Sequence, residues 1–120
     1  MESILKKISK EHEELFPLAD LGSQTAKLEE ELKEIESVTG YYNTINEIAD
    51  CFIVCCGIYR FAPKVALLNA SSILATAEQF GIRSVLLKSV EAKWEFNKKR
   101  KWKFENGIYH HIGEDEYDRN

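Results

Sequence analysis

The sequence predicts an all-α fold, a single domain built as a bundle of four or five helices. Residues that favour helices, such as Glu, Lys, Leu, Ala and Ile, are plentiful, whereas the 120 residues include two Pro and six Gly. The hydrophobic share of 44% suffices for one compact core. Apolar residues recur every three or four positions, as on one face of a helix. We expect residues 1–120 to form this domain, with the bundle core at about 20–104 and a solvated, disordered tail at 113–120.

Helix-breaking residues divide the chain into five predicted helices. Pro17 ends the first, Gly40 follows the second, and Pro63 suits the first turn of the fourth. The fourth ends at Gly81, and the tripeptide at 105–107 is a turn signal after the fifth. The predicted helices span about 2–15, 23–38, 44–61, 63–81 and 82–102.

The third predicted helix is apolar on nearly all sides. No charged residue occurs from Cys51 to Tyr59, so this helix is expected to be buried. The run CFIVCC at 51–56 is also β-branched enough for a buried strand, but its continuity with the apolar residues on both sides favours the helix. Its three cysteines form a poor disulfide framework and lack Cys or His neighbours for a zinc site. We expect small buried thiols in a reducing compartment.

Two acidic motifs lie on the second and third predicted helices. The first is E-E-x-x-E at Glu30, Glu31 and Glu34, and the second is E-x-x-D at Glu47 and Asp50. Helix residues three apart lie on the same side, so Glu31 pairs with Glu34 and Glu47 pairs with Asp50. If the two helices pack antiparallel, the pairs meet across one groove. Mg²⁺ prefers such oxygen ligands, so the four residues are predicted to hold a metal.

Each motif also has a plainer interpretation. Clustered glutamates are usually solvated, and Glu30 lies away from the apolar stripe of its helix, whereas Glu31 borders it. Thr44 and Glu47 fit a capping box at a helix start. Against this, Glu47 and Asp50 stand at the mouth of a buried helix, where a carboxylate needs compensation. A bound cation would supply that compensation.

The fifth predicted helix carries a face that begins apolar and becomes polar. Lys93, Asn97 and Arg100 continue the stripe of Ile82 and Leu86 at spacings of three or four. Cations and an amide at the end of a buried stripe suit phosphate oxygens. The alternative is that these three residues lie beyond the bundle and meet only water.

Other partner classes have weaker support in the sequence. The basic run at 98–103 contains an aromatic residue, which is typical of nucleic-acid binding, but the net charge is −4 and a helix C-terminus also favours basic residues. No stretch reaches about 18 consecutive apolar residues, and the N-terminus becomes charged too soon for a signal peptide. We expect a cytoplasmic protein without a membrane partner. His110 and His111 receive no catalytic role, and a contact with substrate stays open for them.

The two acidic motifs, separated by twelve residues and followed by an apolar run, resemble those of the MazG-like nucleotide pyrophosphohydrolases. The ending resembles the phage- and prophage-type members of that all-α superfamily, through Lys93-x-x-x-Asn97-x-x-Arg100-x-Trp102, Glu105-Asn106-Gly107 and His110-His111. The resemblance covers about 28–111. The segment between the acidic motifs is near the short end of the family's range.

The resemblance implies a hydrolase that converts nucleoside triphosphates to monophosphates and pyrophosphate, for housecleaning of the nucleotide pool. It implies Mg²⁺, replaceable by Mn²⁺, and a homodimer or homotetramer of helical bundles. The base and sugar of the substrate stay open; dUTP, a deoxypurine triphosphate, a damaged nucleotide and phosphoribosyl-ATP all fit the family. The implied metal ligands are Glu31, Glu34, Glu47 and Asp50; the implied catalytic residues are Glu30, Glu34 and Glu47; the implied phosphate contacts are Lys93, Asn97 and Arg100.

Two other functions remain open at this point. A non-catalytic helical interaction module would keep the bundle and use its charged ends for a partner. Its carboxylates would scatter over the surface instead of converging. A nucleic-acid-binding protein would use residues 98–103, and its binding would depend strongly on salt.

Overall fold

A computed structural model describes residues 1–112, and the predicted disorder of 113–120 lies outside the described residues. The chain is mostly helical, as predicted. In chain order its elements are α1 (Glu2–Leu15), α2 (Leu21–Ser37), α3 (Tyr41–Tyr59), α4 (Pro63–Gln79), α5 (Arg83–Lys99), β1 (Lys101–Glu105) and β2 (Ile108–Ile112).

Helix α3 is the centre of the fold. It packs against each of the other four helices, and every residue from Cys51 to Ile58 is buried. An element that must bury all its sides needs this central position, so the uncharged stretch explains the architecture. The helix interpretation of 51–56 is confirmed and the strand alternative is wrong. The three cysteines are free and buried.

The starts of α2 and α3 explain how these two helices are placed. Asp20 caps α2, because its side chain accepts from the backbone N–H of Ser23 at 2.7 Å while Ser23 Oγ accepts from the Asp20 N–H at 3.1 Å. Gly40, with φ of 92°, precedes α3, and Thr44 Oγ1 donates to the Gly40 carbonyl at 2.7 Å. Thr44 therefore lies inside the first turn of α3. It is not an N-cap, so Glu47 does not close a capping box.

Residues 101–112 form a hairpin, which corrects the purely helical prediction. Helix α5 ends at Lys99, so the predicted extension of the fifth helix to Trp102 is wrong. Strands β1 and β2 pair antiparallel around Asn106 and Gly107, whose φ values are 55° and 78°. Two central residues with positive φ are typical of the two-residue turn that matches strand twist. The predicted turn at 105–107 is present, but the strands beside it were not predicted.

The hairpin and α1 are both tied to the helical body. Tyr109 accepts a hydrogen bond from the Leu18 N–H through its hydroxyl at 3.0 Å, and Trp102 Nε1 donates to the Asn97 carbonyl at 2.9 Å. Helix α1 contributes Leu5 and Ile8 to the core. The compact unit therefore includes α1 as well as the hairpin. Within residues 1–112, no helix has both the length and the apolar character that crossing a bilayer requires.

Candidate metal centre

Three of the predicted metal ligands meet between α2 and α3. Glu31 and Glu34 come from α2 and Glu47 from α3, and one carboxylate oxygen of each lies within 4.8 Å of the other two. The helices are joined by only three residues, 38–40, and pack against each other. This connection places the last turns of α2 beside the first turns of α3. The carboxylates therefore converge rather than scatter over the surface.

The cluster contains carboxylate oxygens without a donor. Glu31 Oε2 and Glu47 Oε2 are both buried from solvent, and neither receives a hydrogen bond from the described residues. Burying a charged oxygen without a donor is costly, because the lost hydration is not replaced. A divalent cation would replace it at both oxygens. The donor set, three carboxylates at a groove mouth, fits Mg²⁺ or Mn²⁺.

The pKa values in the cluster shift in the direction that crowding requires. Burial raises the pKa of Glu31 to about 8, with the negative charges of Asp50 and Glu34 adding to the shift. Burial also raises the pKa of Glu47, and Asp50 adds to it. Without a cation, these carboxyl groups therefore stay protonated at pH values at which the same groups would be ionised in water.

Asp50, the fourth predicted metal ligand, forms an ion pair with Lys93, one of the three residues predicted to contact phosphate. Lys93 Nζ lies 3.0 Å from both carboxylate oxygens of Asp50. The pKa of Asp50 is nevertheless raised, because burial outweighs the attraction of Lys93. The negative charge of Asp50 also helps to raise the pKa values of Glu31 and Glu47. Asp50 thus stands beside the three-carboxylate cluster and links it to α5.

Glu30 is not part of the cluster. It is exposed, whereas its neighbour Glu31 is half-buried. Successive helix residues are rotated by about 100°, so the two side chains leave α2 in different directions. The described group of converging acids contains Glu31, Glu34 and Glu47 but not Glu30.

The three predicted phosphate contacts remain on one side of α5 and its end. Lys93, Asn97 and Arg100 are all half-buried, so they do not project into open water beyond the bundle. The Arg100 guanidinium lies 3.4 Å from Asn97 Oδ1 and stacks 4.9 Å from the Phe96 ring centroid. Its positive charge also acts on the pKa of Asp50, lowering it. Two cations therefore stand beside the carboxylates.

Acidic side chains form ion pairs with lysines of the basic run at 98–103, which is typical of nucleic-acid binding. Lys98 Nζ lies 3.0 Å from Glu11 Oε2 and 3.0 Å from Glu95 Oε1, while Lys103 Nζ lies 3.0 Å from Glu105 Oε2. These pairs weaken the positive field that a phosphate backbone would need.

Sequence reasoning missed a small cavity between the helices and the hairpin. Its volume is about 50 Å³, and residues from α2, α5 and the hairpin line it, including Lys27, Asn97, Trp102 and Tyr109. Lys27 precedes Glu31 by four residues, so helical spacing indicates that the two share a face. The hairpin strands, which close the cavity, were the part that the sequence did not reveal.

Comparison with known proteins gives no relative. No family model matches the chain, and no curated protein or solved structure matches it significantly.

Proposed function

We propose that this protein is a Mg²⁺-dependent nucleoside triphosphate pyrophosphohydrolase of the MazG-like type. The reaction is nucleoside triphosphate plus water to nucleoside monophosphate plus pyrophosphate. One observation carries the proposal: the carboxylates of Glu31, Glu34 and Glu47 converge, and one buried oxygen each of Glu31 and Glu47 has no hydrogen-bond donor. Asp50, whose charge acts on Glu31 and Glu47, is paired with Lys93 of α5. The resemblance of both acidic motifs to that family supports the same conclusion.

All three clustered carboxylates would hold the ion, and Glu34 would also accept the proton of the attacking water. Glu31 and Glu47, with their buried oxygens, and Glu34 would hold Mg²⁺. When bound, Mg²⁺ supplies electrophilic activation of the phosphate and lowers the pKa of water. Glu34 is exposed at the mouth of the cluster, where it can take the proton of the attacking water. The new bond joins the water oxygen to phosphorus, the α–β phosphoanhydride bond breaks, and pyrophosphate leaves.

Lys93 has two roles in this scheme, one before and one after the substrate binds. In the described state it neutralises Asp50 at 3.0 Å. A triphosphate beside the acid cluster would bring negative charge to the same position and compete with Asp50 for Lys93. Asp50, released from that ion pair, would then help Glu31, Glu34 and Glu47 to hold Mg²⁺. Lys93 and Arg100 turn to the phosphates and stabilise the charge that develops on them. Glu30, which is outside the cluster, would act only on water at its edge.

The exposed apolar surface supports assembly into a homodimer or homotetramer. A groove of about 690 Å³ lies between α2, α3 and α4, and its lining includes Leu32, Ile35, Ile48, Ile73 and Phe80. Phe80 is 74% exposed in the single chain. A second copy of the chain is the occupant that we propose for this groove, because contiguous apolar surface of this kind marks interaction sites.

The decisive experiment is turnover of a nucleotide panel with Mg²⁺, scored by released pyrophosphate. The panel contains the common ribo- and deoxynucleoside triphosphates, dUTP, an oxidised purine triphosphate and phosphoribosyl-ATP. Glu47→Gln and Asp50→Asn should each lower kcat/KM by roughly a hundredfold or more, because each removes a charge from the metal site. Glu36→Gln, on the exposed side of α2, is the matched control and should retain activity. Turnover that survives both site substitutions would disprove the site.

The non-catalytic interaction module is the competing function. It predicts that no member of the panel is hydrolysed and that the carboxylates serve only solubility. The convergence of three of them in one half-buried cluster favours the enzyme instead.

A further inference from the structure

Arg100 lies at the junction where α5 ends and the hairpin begins. Its backbone is already extended, with ψ of 161°, and β1 starts at the next residue, Lys101. A long charged side chain at such a junction ordinarily keeps its head in water, where its rotamers are free. Arg100 is nevertheless half-buried. Neighbouring groups must therefore hold its side chain.

Two aromatic rings and an amide contact the Arg100 guanidinium. Its central carbon lies 4.9 Å from the centroid of the Phe96 ring and 5.7 Å from that of the Trp102 ring. Both distances are within the reach of cation–π attraction, about 6 Å. Arg100 Nη1 also donates to Asn97 Oδ1 at 3.4 Å. Because Phe96 and Asn97 precede Arg100 by four and three residues, the guanidinium is turned back along α5.

This direction leads towards Asp50. Lys93, Asn97 and Arg100 follow one face of α5, and at the other end of that face Lys93 Nζ lies 3.0 Å from the Asp50 carboxylate. The positive charge of Arg100 lowers the pKa of Asp50, so the two groups interact electrostatically. The guanidinium is therefore directed towards the carboxylates, and towards any anion that a cation bound there would attract.

The Trp102 ring is itself fixed in place. Its Nε1 donates to the Asn97 carbonyl at 2.9 Å, and the same carbonyl accepts from the Arg100 N–H at 3.3 Å. Phe16 packs edge-on against Trp102 with ring centroids 4.9 Å apart. The first strand of the hairpin thus presents a rigid aromatic surface to the guanidinium, which reduces the freedom that Arg100 would lose when it binds an anion.

We propose that Phe96 and Trp102 are positioning residues, which hold the Arg100 guanidinium towards the three-carboxylate cluster so that it meets the phosphate groups of the substrate. The inference rests on the proposed function, because it takes those phosphates to lie beside the cluster. Each ring acts through Arg100 and not on the reacting atoms. A planar guanidinium stacks on aromatic faces, whereas the ammonium of lysine is compact and strongly hydrated, so the two rings favour arginine here.

The test measures binding of inorganic pyrophosphate, the proposed product, by calorimetry in the presence of Mg²⁺. Trp102→Leu should weaken this binding by roughly three- to tenfold, because the guanidinium is no longer held. Trp102→Phe, which keeps a ring, should recover most of the loss. Phe96→Leu removes the other ring without changing the hairpin and should weaken binding by a similar factor. Phe104→Leu is the matched control, since its ring lies on the same strand but packs on Tyr109.

A second pair of variants separates positioning from a general structural role. Trp102→Leu is combined with Arg100→Ala, and its effect on pyrophosphate binding is compared with its effect in the wild type. If the ring acts through Arg100, Trp102→Leu should cause no further loss once the guanidinium is gone. A ring that only supports the fold would cause the same loss in both backgrounds.

The outcomes distinguish this inference from the proposed function. Unchanged pyrophosphate affinity in Trp102→Leu and Phe96→Leu, with nucleotide hydrolysis intact, would overturn the positioning role and leave the enzyme proposal standing. An equal loss from Trp102→Leu with and without Arg100 would also overturn it. Absence of both pyrophosphate binding and hydrolysis in the wild type would remove the proposed function and the positioning role together.

Discussion

At the scale of single residues, the crowded carboxylates make stability depend on pH. The pKa of Glu31 is raised to about 8, chiefly by burial, above its ordinary value of 4.5. The folded state therefore binds a proton more tightly than the unfolded state, and this contribution to stability is lost as pH rises from 4.5 through 8. His12 acts oppositely at lower pH, because burial lowers its pKa to about 4 from 6.5. Above pH 6.5, of these two groups, only Glu31 makes stability depend on pH.

We therefore expect the Tm of the metal-free protein to fall between pH 6.5 and 8. Glu31→Gln removes the ionisation and should flatten that fall, which thermal denaturation in EDTA would measure. Mg²⁺ at a hundred times its Kd should add about 2.7 kcal/mol to the free energy of unfolding. For a domain of this size, that corresponds to a rise in Tm of roughly 10 °C. Glu29→Gln, on an exposed position of α2, should leave the profile unchanged. A rising Tm across this window would contradict the buried acid cluster.

The residues of the candidate metal centre were predictable from sequence only where their relative positions are set within a single helix. Spacing within α2 and within α3 was enough to place Glu31 beside Glu34, and the burial of α3 indicated that Glu47 needs compensation. The ion pair between Asp50 and Lys93 was not predictable, because it depends on how α5 packs on α3. Contacts between helices distant in sequence require the packing itself.

At the scale of elements, α3 tolerates no added volume where it meets α1 and α2. A Cβ on Gly57 would clash with Gln24 Oε1 and would lie 2.7 Å from His12 Nε2. Both side chains are buried, so neither can move away easily. This close approach explains a glycine in the last turn of α3, where a residue without a side chain otherwise costs stability.

Gly57→Ala should therefore destabilise the fold by about 1–3 kcal/mol, although alanine favours helix by roughly 1 kcal/mol. Chemical denaturation followed by circular dichroism measures the difference. Gly22→Ala is the matched control in α2, since its Cβ would find the nearest atom at 3.5 Å, an ordinary contact. That substitution should be neutral or stabilising. Equal stability of Gly57→Ala and the wild type would show that the His12–Gln24 pair is not tightly packed on α3.

The turn of the hairpin was predictable, but its two strands were not, because two sequence patterns compete in this segment. Trp102 and Phe104 alternate with lysines, a two-residue period that is typical of a strand. The helical spacing of Lys93, Asn97 and Arg100 gave a competing signal that extended the fifth helix too far. The backbone turns away directly after Lys99, with Arg100 already extended at ψ of 161°. Asn106-Gly107 was the strongest sign of a hairpin and was interpreted only as a turn.

At the scale of the whole molecule, the single chain leaves apolar surface uncovered on one side. Helix α4 exposes Leu68 at 71%, and Phe80 follows the same helix at 74%. The core of the chain is complete around α3, so this surface is not needed for folding of one copy. The groove shares α2 and α3 with the acid cluster, since Leu32 and Ile35 line it and Glu31 and Glu34 belong to the cluster. Assembly would therefore bury apolar surface on the same two helices that carry the carboxylates.

We expect the wild type to be a dimer or tetramer in solution and Phe80→Glu to be a monomer. The charge would lie in the apolar groove that the second copy fills, where its desolvation opposes association. Because Phe80 is exposed in the single chain, the variant should still fold, which its circular dichroism spectrum checks. Leu18→Glu is the control, since Leu18 is 61% exposed but lies outside the groove lining. Light scattering after size exclusion gives the masses, and a wild type with the mass of one chain would refute the assembly.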